Sequence, residues 1–140
     1  MPTLHLRIAP LQNPERYASL GAALTRITAA VLHKKPEVTV VMIDDYPAAR
    51  YLVGGREAQS STACLEISIT AGTNTEAEKA QFISQAHAEL HRQLSVDKRN
   101  LSEASYVIVR EVPASDWGYA GITQAARRSL SGAAVPGASA

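Results

Sequence analysis

Cysteine, phenylalanine and tryptophan each occur once in the 140 residues, as Cys64, Phe82 and Trp117, and neither sign of charge is in excess. A lone cysteine excludes an internal disulfide, which fits a reducing compartment. Fourteen Lys and Arg against thirteen Asp and Glu leave a net charge of +1. That balance lacks the basic surplus a phosphate-backbone binder needs, so nucleic acid is not an expected partner. No apolar run approaches the roughly 18–20 residues of a membrane span. The opening MPTLHLR carries neither the basic region nor the apolar stretch of a signal peptide. The expectation is a cytoplasmic protein with no membrane partner. With 46% hydrophobic and 19% charged residues the composition is globular, and the length suits one domain.

What is present is strongly patterned. Thr3 to Ile8 alternates, with Leu4, Leu6 and Ile8 on one face, as a half-buried strand does. Asn13 before Pro14 reads as an N-cap followed by proline at the first helical position. Tyr17, Leu20, Leu24, Ile27 and Val31 then form one apolar stripe. His33-Lys34-Lys35 places positive charge at the helix C-terminus, and Pro36 stops it. Val38 to Ile43 is nearly continuous in its apolarity, which suits a strand covered on both faces. Strand, helix and parallel strand make a βαβ unit. Gly54-Gly55 permits a sharp turn after it.

The pattern then repeats. Leu65, Ile67 and Ile69 alternate as Leu4, Leu6 and Ile8 do, and Thr75 with Glu78 forms a capping box before the stripe Phe82, Ile83, Ala86, Leu90 and Leu94. Tyr106 to Val109 reads as the fourth strand. Asp45-Tyr46-Pro47-Ala48-Ala49-Arg50-Tyr51 is echoed 66 positions later by Glu111-Val112-Pro113-Ala114-Ser115-Asp116-Trp117. Neither unit can bury its own sheet face alone. The expected fold class is therefore α/β: two tandem βαβ units forming a four-stranded sheet with two helices on one face. It is a single domain over residues 1–121, with repeats at 2–55 and 63–121. Residues 122–140, small and polar beyond Arg127-Arg128, read as a flexible tail.

The Met-Pro start, the βαβ unit, the DDYPAARYLVGG stretch and its echo EVPASDWGYAG together resemble the tautomerase superfamily over roughly residues 2–121. Short chains of the 4-oxalocrotonate tautomerase type form its simplest members. The layout is most similar to the fused two-repeat cis-3-chloroacrylic acid dehalogenase group. The resemblance implies a tautomerase/MIF-like β-α-β fold, a homotrimer, and Pro2 as a catalytic amine once the initiator methionine is removed. A free α-amino group titrates near ~8, and burial lowers that value until the amine can act as a general base. Ala63 takes the equivalent place in the second repeat and has no amine, so one site per chain is expected.

The chain also departs from the family. Where the family carries carboxylate-binding arginines, this chain has Gln12, Val40, Thr73 and Tyr106, and the turn Thr70 to Thr73 has no arginine pair. The dehalogenase group's water-positioning carboxylate aligns with Tyr119. These losses argue against dehalogenation and leave proton transfer open. Of the remaining cations, Arg110 shares a strand face with Tyr106 and Ile108, where the family's second arginine sits. Tyr51 and Trp117 align with the aromatic of the family's pocket, and Tyr106 could donate a hydrogen bond in place of an arginine. The candidate site is thus Pro2 with Arg110, Tyr106, Trp117, Tyr51 and Tyr119. His87 and His91 lie one helical turn apart without a third ligand, and Gly54-Gly55 lacks the lysine of a phosphate loop. No metal or organic cofactor is called for.

The expected function is a cofactor-independent keto–enol tautomerase acting on a small 2-oxo or 2-hydroxy-enoic carboxylate. The alternatives are a hydratase or dehalogenase of a haloacrylate-like acid, and a non-catalytic scaffold that kept the fold.

Overall fold

A computed structural model describes residues 1–95 and 99–130. Strand β1 (Thr3–Ala9) buries Leu4, Leu6 and Ile8 completely, and helix α1 (Pro14–Leu32) covers them with Leu20, Leu24, Ile27 and Val31. Asn13 caps α1 as its position suggests, its side chain accepting from the Glu15 amide. After a 3-10 turn at Pro36–Val38 the chain enters β2 (Val40–Asp45), parallel to β1. A hairpin of β3 (Leu52–Val53) and β4 (Arg56–Glu57) follows.

The second repeat opens with β5 (Thr62–Thr70), antiparallel to β1 in the register Thr3↔Ser68 to Ala9↔Thr62. Helix α2 (Glu76–Leu94) starts on the capping box, with Thr75 and Glu78 each satisfying the other's amide. Strand β6 (Tyr106–Val112) pairs parallel with β5. The sheet order is β2-β1-β5-β6, so the two βαβ units join through their first strands. Leu65, Ile67, Ile69, Phe82 and Leu90 are fully buried and complete one core between the sheet and both helices. Each such side chain contributes about 1.5–3 kcal/mol by leaving water.

The internal symmetry reaches the hairpins. Hairpin β7 (Gly118–Tyr119) and β8 (Ile122–Thr123) matches β3–β4 at the same offset of 66. The Ala58 amide donates to the Tyr51 carbonyl, and the Gln124 amide donates to that of Trp117, both at 2.9 Å. Gly54 and Gly55 have φ of 60° and 78°, while Ala120 and Gly121 have 53° and 77°.

Two expectations change. Residues 124–130 were read as part of a tail, yet they form helix α3 (Gln124–Leu130). The helix is docked: its Ala125 amide donates to the Ala114 carbonyl at 2.9 Å, and Arg127 lies 3.7 Å over the Tyr119 ring while bonding its carbonyl. Residues 131–140 of the expected tail lie outside the described residues. The apolar run into β2 was read as covered on both faces, but within this chain only Val41 and Ile43 meet the core. Val40 and Met42 are 38% and 48% exposed on the other face.

Candidate active site

The amine end of the chain is partly buried and feels the positive charge of Lys34, Lys35 and Arg128. Pro2 is buried, on the same side of β1 as Leu4 and Leu6, and its carbonyl accepts from the Val40 amide at 3.1 Å. The β1–β5 register, carried two residues further, sets Pro2 and Met1 opposite Ile69 and Thr70. Burial first, and then the charges of Lys34, Lys35 and Arg128, push the N-terminal amine of Met1 from 8.0 down to about 5.

Lys34 reaches this place because α1 ends on His33 with φ 59°, a left-handed cap that turns the chain inward. The loop before α2 holds that cap: Asn74 Nδ2 donates to the Leu32 carbonyl at 3.0 Å, and His33 Nε2 lies 3.0 Å from Glu78. Lys34 is only 2% exposed, and its Nζ donates to Thr73 Oγ1 at 2.8 Å. Burial and the Arg128 charge lower its ammonium from 10.5 to about 8, with Glu78 opposing them. Thr73 Oγ1 passes a hydrogen bond to the Thr70 carbonyl at 2.7 Å, and Trp117 Nε1 donates to Thr70 Oγ1 at 3.2 Å. Lys34, Thr73, Thr70 and Trp117 therefore form one connected rim beside the amine.

The sequence-derived candidates separate into two groups. Trp117 joins this rim through Thr70, one position beyond the register partner of Pro2, and Tyr119 lies on the adjoining hairpin with its ring covered by Arg127. Tyr51 and Tyr106 lie elsewhere. Tyr106 pairs with Cys64, which pairs with Arg7, so it stands about five residues or roughly 17 Å along the sheet from Pro2. There Tyr51, Cys64 and Tyr106 line a shallow cleft of about 310 Å³, and Tyr51 makes an edge contact with Tyr46 at 6.2 Å. Burial pushes both the Tyr51 phenol and the Cys64 thiol upward, the behaviour of inert groups. Cys64 is only partly covered.

Arg110 lies on the sheet face opposite the helices, 3.4 Å from Glu66, and joins neither group. Sequence reasoning passed over Lys34 and Arg128. Lys34 had a signal, since a lysine just past a helix end and before a proline can be turned inward by a left-handed cap. Arg128 had none, because α3 itself was not visible. Among the described residues no group of three or more His, Cys, Asp or Glu is placed to hold a metal. No helix among them is long and apolar enough to cross a membrane.

Two βαβ units related by a pseudo-twofold, with an amine-terminated strand opening into a cationic rim, define a class of small α/β proteins. No family model and no curated protein matches this chain. Solved structures do. The fused 4-OT called R7, wild type and described as an asymmetric trimer, is 25% identical, with a TM-score of 0.78 over 89% of this chain and 98% of that one. Pt0534, solved after inactivation by 2-oxo-3-pentynoate, is 15% identical with a TM-score of 0.77 over 89% and 98% of the two chains. N1, a member of the cis-3-chloroacrylic acid dehalogenase family, is 20% identical with a TM-score of 0.72 over 86% and 82%. The chain shares the fold of the tautomerase superfamily and is similar to its fused two-repeat structures.

Proposed function

We propose that this protein is a cofactor-independent keto–enol tautomerase of small 2-oxo or 2-hydroxy-enoic carboxylates, with Pro2 as its base and proton carrier. The observation that supports this most is the N-terminal amine held among Lys34, Lys35 and Arg128 and pushed down to about 5. Removal of Met1 transfers the free amine to Pro2, one residue further into the same buried, cationic surroundings. Such an amine is unprotonated at neutral pH.

The chemistry balances without an oxidant. Pro2 nitrogen takes the hydroxyl proton of the enol, the C–O bond becomes C=O, and the C=C electron pair moves onto the neighbouring carbon. That carbon then takes the proton back from the prolinium, so substrate and product are isomers. Lys34, buried and still cationic at pH 7, favours the substrate's carboxylate and the oxygen on which charge develops. Trp117 supplies an apolar wall that keeps water from the amine. The turn before α2 carries no arginine pair, so halide release is not part of this reading. The fused trimers in its likeness, and the apolar open face of its sheet, support a homotrimer.

Ketonisation of phenylenolpyruvate, followed by ultraviolet absorbance across pH, tests the reading. Wild type, shown by intact mass to begin at Pro2, is expected to exceed buffer and to lose rate only below a pKa well under ~8. Pro2→Ala is expected to fall by about 10²-fold or more. The compound that inactivates Pt0534, 2-oxo-3-pentynoate, is expected to leave one adduct on the N-terminal peptide. Retained methionine, or equal rates in wild type and variant, defeats the assignment of Pro2.

A further inference from the structure

We propose that the chain carries a second binding site, for a small organic carboxylate, in the cavity that the internal repeat sets in the place corresponding to Pro2. The cavity holds about 300 Å³ and lies at the opposite end of β1 from Pro2, between Pro10 and the β4–β5 connection at residues 58–61. It is a site without turnover, and it stands whether or not Pro2 is a catalytic base.

The repeat puts it there. Ala63 stands near the start of β5 as Pro2 stands at the start of β1, and the offset of 66 sets Ala48 against Ala114 and Ala58 against Gln124. Ala48 and Ala58 line the cavity, and the Ala58 amide bonds the Tyr51 carbonyl as that of Gln124 bonds Trp117. In the first unit the connection from helix to second strand brings Lys34 to the Pro2 site. In the second unit the same connection, from α2 to β6, brings Arg99 to the cavity wall. Two bonds fasten that connection beside the cavity. The Ser102 amide donates to the Ser61 carbonyl at 2.8 Å, and the Ala63 amide donates to Ser105 Oγ at 3.0 Å. The peptide nitrogen of Ala63 has no basic lone pair, so nothing equivalent to the Pro2 amine acts on a ligand there.

The lining defines the ligand. Ser60 and Ser61 supply hydroxyls, Arg99 a guanidinium, and Pro10, Ala48 and Ala58 an apolar side. Ser61 is 9% exposed, whereas Arg99 stands at the open edge. The Ser60 and Ser61 carbonyls are occupied by Thr62 Oγ1 and the Ser102 amide, at 2.9 and 2.8 Å. Among the described residues, however, neither serine hydroxyl makes a hydrogen bond and Arg99 meets no carboxylate. Gln59 Nε2 is held by the Glu57 carbonyl at 2.8 Å. No acidic side chain lines the cavity, so its formal charge among these residues is positive. A guanidinium takes a planar carboxylate through two parallel N–H···O bonds, and flanking hydroxyls can donate to the same oxygens. The apolar side suits a short carbon chain, and a volume at the lower end of small-molecule pockets keeps the ligand small.

Butyrate, its neutral isostere butyramide and inorganic phosphate are titrated separately into the full chain, and backbone amide shifts are followed by NMR. Saturable shifts on the amides of residues 58–61 and Ser102 are expected with butyrate and not with butyramide. Arg99→Gln, at an exposed position, is expected to weaken butyrate by about tenfold or more, and Arg99→Lys to recover part of the loss. Lys34→Met is expected to leave these shifts in place, which separates this cavity from the Pro2 site. Shifts confined to residues 70–73 and Trp117, or lost in Lys34→Met, overturn the proposal. So does butyramide binding as tightly as butyrate, or butyrate affinity in Arg99→Gln within twofold of wild type. Phosphate binding as tightly as butyrate overturns the assignment to an organic ligand. Ketonisation of phenylenolpyruvate reads the other site: its absence defeats the Pro2 reading and moves none of these shifts.

Discussion

Lys34 shows how one backbone angle decides a side chain's role. In the sequence it is the middle of His33-Lys34-Lys35, a run that reads as solvated charge at a helix C-terminus. Its neighbour Lys35 behaves that way and is exposed. The left-handed His33 instead buries Lys34 against Thr73. A buried ammonium costs stability while it is charged. Its value in the fold, about 8, lies below the ordinary 10.5, so the unfolded chain binds more protons between these two pH values. Stability therefore rises with pH across that window, and the cost is fully present below about 8. Lys34→Met keeps the stem and removes the charge. It is expected to be more stable than wild type at pH 7 by on the order of 2 kcal/mol, with the difference shrinking towards pH 10. Urea unfolding at pH 7, 9 and 10 measures this. A difference that stays constant with pH means Lys34 is not held below its ordinary value. In the same variant the ketonisation rate should fall, since the site loses a cation.

At the scale of elements, periodicity carried most of the fold. β1, α1, α2 and β6 each present a single apolar stripe or alternation, and the offset of 66 between residues 45–51 and 111–117 marks the repeat that the two hairpins continue. Helix α3 escaped because QAARRSL has no apolar stripe, and seven residues are too few to be helical alone. Its order comes from carbonyls that Ala114 and Trp117 offer across the fold, a tertiary cause without a local signature. Pro2 and Trp117 were candidates through the family resemblance, whereas the placement of Lys34 depended on where a helix end folds back.

The two hairpins also differ in a testable way. Both turns need positive φ at two successive residues, which suits the two-residue type I′ connection. The first turn uses Gly54-Gly55, but the second places Ala120 at φ 53°. A left-handed alanine costs about 1–2 kcal/mol, partly offset by the greater freedom glycine has in the unfolded chain. Ala120→Gly is expected to stabilise by about 0.5–1 kcal/mol, a rise of about 2–4 °C in Tm. Gly118→Ala has the opposite sign, because a Cβ there would lie 2.0 Å from the Ile122 carbonyl oxygen and 2.7 Å from its carbon. That backbone cannot yield without moving the hairpin that carries Trp117 and anchors α3. Thermal unfolding, with Trp117 fluorescence alongside circular dichroism, separates the two. A lower Tm for Ala120→Gly would show that Ala120 is not strained.

For the whole molecule, the uncovered sheet face sets the problem. Val40, Met42 and Tyr106 stand 38%, 48% and 63% exposed on it, beside the His5–Asp44 pair at 2.6 Å and the Glu66–Arg110 pair. The run Val40 to Ile43 reads as apolar on both faces because one half meets this chain's helices and the other half meets nothing within the chain. In the proposed homotrimer three packed sheets would cover that face, and this bears on the site as well. Tyr51 and Tyr106, aligned by resemblance with pocket residues, lie at the far end of the sheet from Pro2 in their own chain. They can serve a Pro2 site only from a neighbouring copy. Wild type is expected to scatter light as three times its 14.9 kDa mass. Met42→Glu sets a charge beside Asp44 on the exposed face, without touching Pro2, Lys34 or Arg128, and is expected to lower the mass to that of one chain. If the dissociated variant keeps its fold by circular dichroism and loses ketonisation, the Pro2 site is completed between copies. If it dissociates and retains the rate, one chain holds the whole site, and Tyr51 and Tyr106 serve packing alone.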